Sequence, residues 1–255
     1  MLGIEGQVAL VTGAGTGIGK SIATHLAEAG ARVAVTDVDR ASAEALAATL
    51  PEAGAWQLDV TSAEQAADVA AAVEKEMGPI DILANNAGVS TMNHVWELTE
   101  KEWDFNFDVN AKGVFLVTRA VIPAMMERRR GAIVNTASMA GKTGPALLAH
   151  YAASKWACIG FTMCCATELG PYGIRVNCVC PGFVATKMQR EEIEWEVELR
   201  GLSAEEIFDG YVAQTPLGRI ETPDDVARVV RYLASPEAEF LTGAAIDITG
   251  GAHLP

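Results

Sequence analysis

The sequence predicts an α/β domain built on a doubly wound parallel sheet of seven strands. Three observations carry that expectation. Short β-rich runs alternate with helix-like stretches from start to finish, a rhythm that calls for a sheet covered by helices on both faces. Most of these runs are continuously apolar rather than alternating, as strands buried on two sides should be. The first, QVALVTG, leads into a glycine-rich turn and then a helix, the local context of a phosphate-binding loop.

In chain order, strands are expected at 7–12, 32–36, 55–58, 80–84, 131–137, 174–180 and 244–248. Helices are expected near 18–30, 40–50, 62–77, 99–127, 150–169 and 223–234. No repeat, low-complexity tract or linker interrupts them, so residues 1–255 read as a single domain. Segment 187–214 breaks the rhythm with an acidic excursion carrying Glu191, Glu192, Glu194, Glu196 and Glu198 around Trp195. Long insertions at the carboxyl ends of parallel strands shape binding sites, so this segment is expected to be a substrate lid. Its glutamates are expected on a solvated helix face, and Met188 and Trp195 as pocket-closing groups.

The chain has 255 residues and a formal charge of −14. That length suffices for a well-buried core, and the charge argues against nucleic acid or an anionic membrane as partner. Arg128, Arg129 and Arg130 end a helix before Gly131 and are expected to answer its dipole. Cysteines at 158, 164, 165, 178 and 180 lack zinc-ligand spacing, so no metal site is expected. They read as buried thiols of a reduced, cytoplasmic protein. The N-terminus shows no signal peptide, and no apolar stretch approaches the ~20 residues of a bilayer span. The stretch WACIGFTMCC at 156–165 is apolar all round its helix, which calls for a second subunit to cover the outer face.

The glycine turn reads Gly13-Ala14-Gly15-Thr16-Gly17-Ile18-Gly19. Glycines let the backbone approach a pyrophosphate, and the following helix N-terminus offers oriented N–H groups to the anion. The second strand ends in Asp37, eighteen residues beyond Gly19. A carboxylate there accepts hydrogen bonds from adenosine ribose hydroxyls and repels a 2′-phosphate. Ala14 and Thr16 offer that phosphate no cation. NAD is therefore expected over NADP. Asp59 and Val60 close the third strand where an adenine could sit, and Asn86, Ala87 and Gly88 follow the fourth beside the adenosine.

Tyr151 and Lys155 stand four apart in HYAASK, with Ser138 thirteen residues upstream of the tyrosine. Residues i and i+4 share a helix face, so the lysine can sit beside the phenol and lower a pKa that is otherwise about 10.

Taken together, TGAGTGIG, Asp37, the Asp59-Val60 pair, NNAG at 85–88, Asn110 in NVNAKG, Ser138, YAASK at 151–155 and Pro181-Gly182 resemble the short-chain dehydrogenase/reductase family. They run in the family's order over essentially the whole chain. The resemblance implies a Rossmann-like domain, commonly a homotetramer, that binds a nicotinamide dinucleotide. It implies a catalytic set of Asn110, Ser138, Tyr151 and Lys155, with Asn110 holding a water that links Lys155 to solvent. It also places Pro181, Gly182, Val184 and Thr186 against the cofactor, although Thr186 equally suits a helix cap. Pocket candidates by position are Ser90, Met92, Asn93, His94, Met139, Leu148, His150, Phe183, Met188 and Trp195, with His150 leaning to the helix surface.

The lid and tail resemble those of polyol, sugar-alcohol and acetoin/2,3-butanediol dehydrogenases. The expected activity is NAD-dependent interconversion of a secondary alcohol and a ketone, on a polyol or sugar alcohol. Met139 stands where several of those relatives carry glutamine, which leaves room for a less polar substrate. The alternatives are a diketone or 3-oxoacyl carbonyl reductase, a class that often favours NADP, and a catalytically silent NAD-binding scaffold.

Overall fold

Every strand of the sheet is parallel to its neighbours, and the chain winds outward from the centre in both directions. The computed structural model describes residues 3–254. β1 (Val8–Thr12) passes through the glycine turn into α1 (Gly17–Glu28), followed by β2 (Arg32–Asp37), α2 (Arg40–Ala47), β3 (Gly54–Gln57), α3 (Ala63–Met77) and β4 (Ile80–Asn85). The second half runs α4 (Glu100–Phe107), α5 (Val114–Arg128), β5 (Gly131–Thr136), α6 (Ala149–Leu169), β6 (Ile174–Pro181), α7 (Lys187–Arg200), α8 (Ala204–Ala213), α9 (Pro223–Ala234) and β7 (Ala245–Ile248). The sheet order is β3-β2-β1-β4-β5-β6-β7. The winding direction reverses between β1 and β4, and the crevice outside the strand ends at such a point is where open α/β sheets bind ligands.

The continuous apolar runs are explained by two cores, one on each face. On one, Ala9 and Val11 of β1 pack with Ile22 and Leu26 of α1 and Val226, Val230 and Leu233 of α9. On the other, Val8 and Leu10 of the same strand pack with Val69 and Val73 of α3 and Val117, Val121 and Met125 of α5. Each position in the strand therefore has an apolar partner, whichever way it points. Helix starts follow local side-chain chemistry: Thr99 with Glu102, Ser203 with Glu206 and Thr222 with Asp225 form capping boxes at α4, α8 and α9.

Where β1 and β4 diverge, a polar clamp replaces the ladder. Thr12 Oγ1 accepts the backbone N–H groups of Asn86 and Ala87, each at 3.0 Å, and Asn86 Nδ2 donates to the Thr12 and Gly13 carbonyls at 3.2 and 3.1 Å. Beneath it, Asn85 Nδ2 donates to Asn135 Oδ1 at 2.9 Å and Thr118 Oγ1 at 3.0 Å, and Asn135 Nδ2 donates to Thr162 Oγ1 at 2.9 Å. This buried chain joins β4, β5, α5 and α6 under the catalytic candidates.

The structure departs from the sequence expectations in five places. The helix expected at 99–127 is broken by a π turn at Asp108–Gly113, a wide turn common at functional sites. It lets Gly113 pass Val60 at a distance where a Cβ would lie 2.7 Å from Cγ2. The whole helical run Glu100–Arg128 is long and apolar enough to cross a membrane, contrary to the reading that no stretch approaches that length, but its apolar side packs on α3, β4 and β5. The three arginines serve structure: Arg128 donates to the Ile80 carbonyl, Arg129 to the Pro171 carbonyl, and Arg130 pairs with Asp81 at 3.0 Å. Cys158, Cys178 and Cys180 are buried, but Cys164 is exposed and Cys165 half-buried. Finally, Glu196 is buried among the lid helices, where it accepts a hydrogen bond from the Tyr211 hydroxyl and pairs with Arg200. It is not part of a solvated face.

Thr12→Val preserves shape but leaves two backbone N–H groups at the clamp unpaired. The expected loss is about 1–3 kcal/mol, read as a lower midpoint in equilibrium urea unfolding with an unchanged slope.

Candidate active site

A cleft of about 980 Å³ lies over the carboxyl ends of β1, β2 and β4 to β6, partly roofed by α7. At one end Asp37, Asp59 and Val60 line it, in the middle Gly13, Thr16, Gly17, Ile18, Asn86, Ala87 and Gly88, and at the other Ser138, Tyr151, Lys155, Pro181, Gly182, Val184 and Thr186. Gly19 and Asn110 lie just beneath this wall, and both are buried.

The glycine turn is bare because a side chain has no room. Gly13 has φ +59°, and a Cβ there would sit 2.7 Å from the Ala87 Cα. At Gly19 a Cβ would lie 2.1 Å from the Gly13 carbonyl oxygen. The turn therefore presents backbone to the cleft, as a pyrophosphate-binding loop must. Asp37 is held in place at its rim, accepting the Gly15 N–H on Oδ2 at 2.9 Å and the Asp39 N–H on Oδ1 at 3.0 Å. Asp59 is turned by Thr61, whose N–H and hydroxyl donate to Oδ1 at 2.9 and 2.7 Å. Volume, cradle and carboxylate together fit a dinucleotide. Thr186 is also the cap of α7, accepting from the Gln189 N–H at 3.2 Å.

At the other end α6 presents Tyr151 and Lys155 on one face. The lysine is 4% exposed, and its Nζ donates to the Thr136 carbonyl at 2.9 Å and stands 5.7 Å from the centre of the Tyr151 ring. Burial lowers its pKa. The phenol moves the opposite way from the sequence expectation. Burial, and after it the Glu192 carboxylate, hold Tyr151 well above its ordinary range, and the facing Ser138 hydroxyl pulls back only in part. Desolvation is the largest cause, and the tyrosine holds its proton at neutral pH. Asn110, carried on the π turn, accepts the Val89 N–H at 2.8 Å and donates to the Val89 carbonyl and Ser154 Oγ at 2.9 and 3.0 Å. A Cβ at Gly88 would lie 3.2 Å from both Asn110 Oδ1 and Lys155 Nζ, so the glycine lets these groups approach one spot.

Of the substrate candidates, Met139, Leu148, Phe183 and Met188 line the cleft. Three do not. His150 is fully buried, not on the helix surface, and its Nε2 meets Thr91 Oγ1 at 2.6 Å. His94 stacks on Trp96 with ring centres 4.5 Å apart, and Trp195 stays outside the cleft wall. Sequence reasoning missed Gln189, Gln214 and above all Glu192, which line the cleft. Glu192 follows Met188 by one helical turn, so the face that carries the methionine inward carries the glutamate too.

The model of the short chain dehydrogenase family matches residues 7–197. The chain belongs to the short-chain dehydrogenase/reductase family. A 3-oxoacyl-[acyl-carrier-protein] reductase of Vibrio cholerae is 39% identical over 99% of this chain and 100% of its own length. A 2,3-dihydro-2,3-dihydroxybenzoate dehydrogenase of Bacillus subtilis is 37% identical over 99% of this chain and 98% of its own. The crystal structure of gox2181 superposes with a TM-score of 0.91 at 34% identity, covering 98% of this chain and 97% of that one. Membership makes the chain an oxidoreductase using a nicotinamide cofactor. The polyol expectation finds no support among these relatives, whereas the 3-oxoacyl alternative does.

The α7–α8 segment is held by Tyr211, which stacks on Phe183 with ring centres 4.2 Å apart while its hydroxyl bonds Glu196. Tyr211→Phe removes that bond. Amide exchange across α8 is expected to accelerate by about fivefold, the effect of a hydrogen bond worth about 1 kcal/mol.

Proposed function

We propose that the chain is an NAD(H)-dependent oxidoreductase that interconverts a ketone and a secondary alcohol, with 3-oxoacyl and 3-hydroxyacyl compounds as its substrate class. One observation carries the reading: a single cleft joins the Asp37 carboxylate to the Tyr151 phenol. The glycine turn and the Asp37 rim suit the adenosine half of the dinucleotide, and residues 181–186 suit the nicotinamide half. Bound there, the nicotinamide supplies or accepts a hydride.

Everything else falls to the chain's own residues. In the reducing direction, the protonated Tyr151 donates to the substrate oxygen as negative charge develops on it. Ser138 donates a hydrogen bond to the same oxygen and stabilises that charge. Lys155 assists the tyrosine in parting with its proton, because its cation favours the phenolate that results. Asn110 and Lys155 flank the space above Gly88, which supports a water there as the route of proton replacement. In oxidation the roles reverse. A carboxylate beside the ribose hydroxyls supports NAD over NADP. The apolar wall of Met139, Leu148, Phe183 and Met188 suits an acyl chain better than a polyol, which agrees with the relatives.

The complete Asn110, Ser138, Tyr151 and Lys155 set argues against a silent scaffold. A homo-oligomer, by family a tetramer, is supported by Trp103, Phe115, Trp156 and Met163, which α4, α5 and α6 leave between 40% and 54% exposed. A cytoplasmic setting is supported by five free cysteines.

Tyr151→Phe is expected to lower kcat by about 10²–10⁴-fold while NADH still binds, as followed by fluorescence; a variant keeping a tenth of the activity contradicts the role. Asp37→Ala is expected to shift the ratio of kcat/KM for NAD(H) over NADP(H) toward the phosphorylated cofactor, measured at 340 nm with both. Equal use of the two by the unmodified enzyme contradicts the NAD assignment.

A further inference from the structure

Besides Asp108, which pairs with Lys112, the cleft contains a carboxyl that the proposed chemistry does not use. Glu192 lies on α7 one turn after Met188, and both line the cleft. Gln189 Nε2 donates to its Oε2 at 3.2 Å. Ser90, 7% exposed with an Oγ that has no hydrogen-bond partner among the described residues, faces the carboxyl closely enough to lower its pKa. No cation pairs with Glu192 among the described residues, since Lys187 pairs with Glu191 and Arg200 with Glu196. Glu192 and Tyr151 line the same cleft, and the carboxylate raises the phenol, so both face the space proposed for the substrate.

We propose that Glu192 determines specificity by admitting carbonyl substrates with a neutral hydrogen-bond donor near the reacting carbon and rejecting those with a carboxylate there. The proposal rests on the ketone/alcohol reading above and narrows its substrate class. An unpaired carboxylate in a partly dry cleft gains from an N–H or O–H donor, and loses when a second anion faces it without a shared cation. An acyl group would then enter best as its amide, whose N–H donates to the carboxylate; an ester or thioester escapes the repulsion without gaining that bond, and the free 3-oxo acid would be turned away. The groups facing Glu192 are Tyr151 on α6, Tyr211 on α8, Ser90 after β4, and Glu191 and Glu196 on its own helix. Burial, reinforced by the two glutamates, pushes Glu192 up to about 7, so the discrimination should strengthen as pH rises through neutrality and the group ionises.

The test uses acetoacetate and acetoacetamide, a pair differing in charge at one position. Their binding to the NADH-loaded enzyme is read by the fluorescence of the bound nucleotide at pH 6 and pH 8, with NADH oxidation recorded in parallel. The wild type is expected to bind the amide at least about tenfold more tightly at pH 8, the equivalent of one pKa unit of differential interaction, and with a smaller margin at pH 6. Glu192→Gln and Glu192→Ala are expected to erase most of that margin by improving acetoacetate binding, and Glu192→Asp to keep it. A ratio unchanged in the uncharged variants, equal binding of both probes by the wild type, or binding of neither overturns the proposal. Glu192-dependent selectivity without NADH oxidation by any ketone overturns the proposed function instead and leaves the selectivity standing.

Discussion

The site depends on how the chain secures the point where β1 and β4 part. There the backbone ladder stops, and without replacement partners the strand ends would leave N–H and carbonyl groups unpaired beside a cleft. Thr12 and Asn86 supply those partners reciprocally, each binding the other strand's backbone. The clamp fixes the glycine turn on one side and the Asn86–Gly88 segment on the other, so that both halves of a dinucleotide cradle share one rigid origin. The buried Asn85–Asn135–Thr162 chain extends the same constraint to α6, which carries Tyr151 and Lys155. The glycine turn and the helix carrying Tyr151 are thereby parts of one hydrogen-bonded frame.

Electrostatics then decide what the frame can do. The cleft has a carboxylate at each end, Asp37 at the rim and Glu192 near the phenol, and a buried ammonium between β5 and α6. Burial works against three charges beside α6 and α7. It lowers Lys155 and raises both Tyr151 and Glu192. A phenol that keeps its proton has one to deliver to a carbonyl oxygen, the role proposed for it.

Most of the fold was legible because its signals are local and redundant. Short β-rich runs, most of them continuously apolar, marked all seven strands, and the glycine turn after QVALVTG and the closing Asp37 line one cleft. The catalytic candidates were legible through spacing on α6 and order along the chain. What escaped depends on tertiary surroundings. A row of glutamates reads as solvated, yet Glu196 is buried because Tyr211 reaches it from α8, and Glu192 turns inward with Met188. His150 reads as a helix-surface residue but meets Thr91 from a distant loop. The π turn at Asp108–Gly113 has no periodicity of its own, because it arises from where Asn110 and Gly113 must pack. Lys155 beside Tyr151 predicted a lowered phenol, and desolvation, invisible in spacing, reversed the sign.

The account stands on a tyrosine proton held within reach of a bound nicotinamide, and a crystal structure of the NADH complex with a substrate ketone tests it most directly. The account predicts the adenosine ribose at Asp37, and the carbonyl bracketed by the Tyr151 and Ser138 hydroxyls on its oxygen and the nicotinamide C4 over its carbon. A dinucleotide lying outside the Asp37–Tyr151 cleft, or a ketone whose oxygen faces away from the phenol, would contradict it.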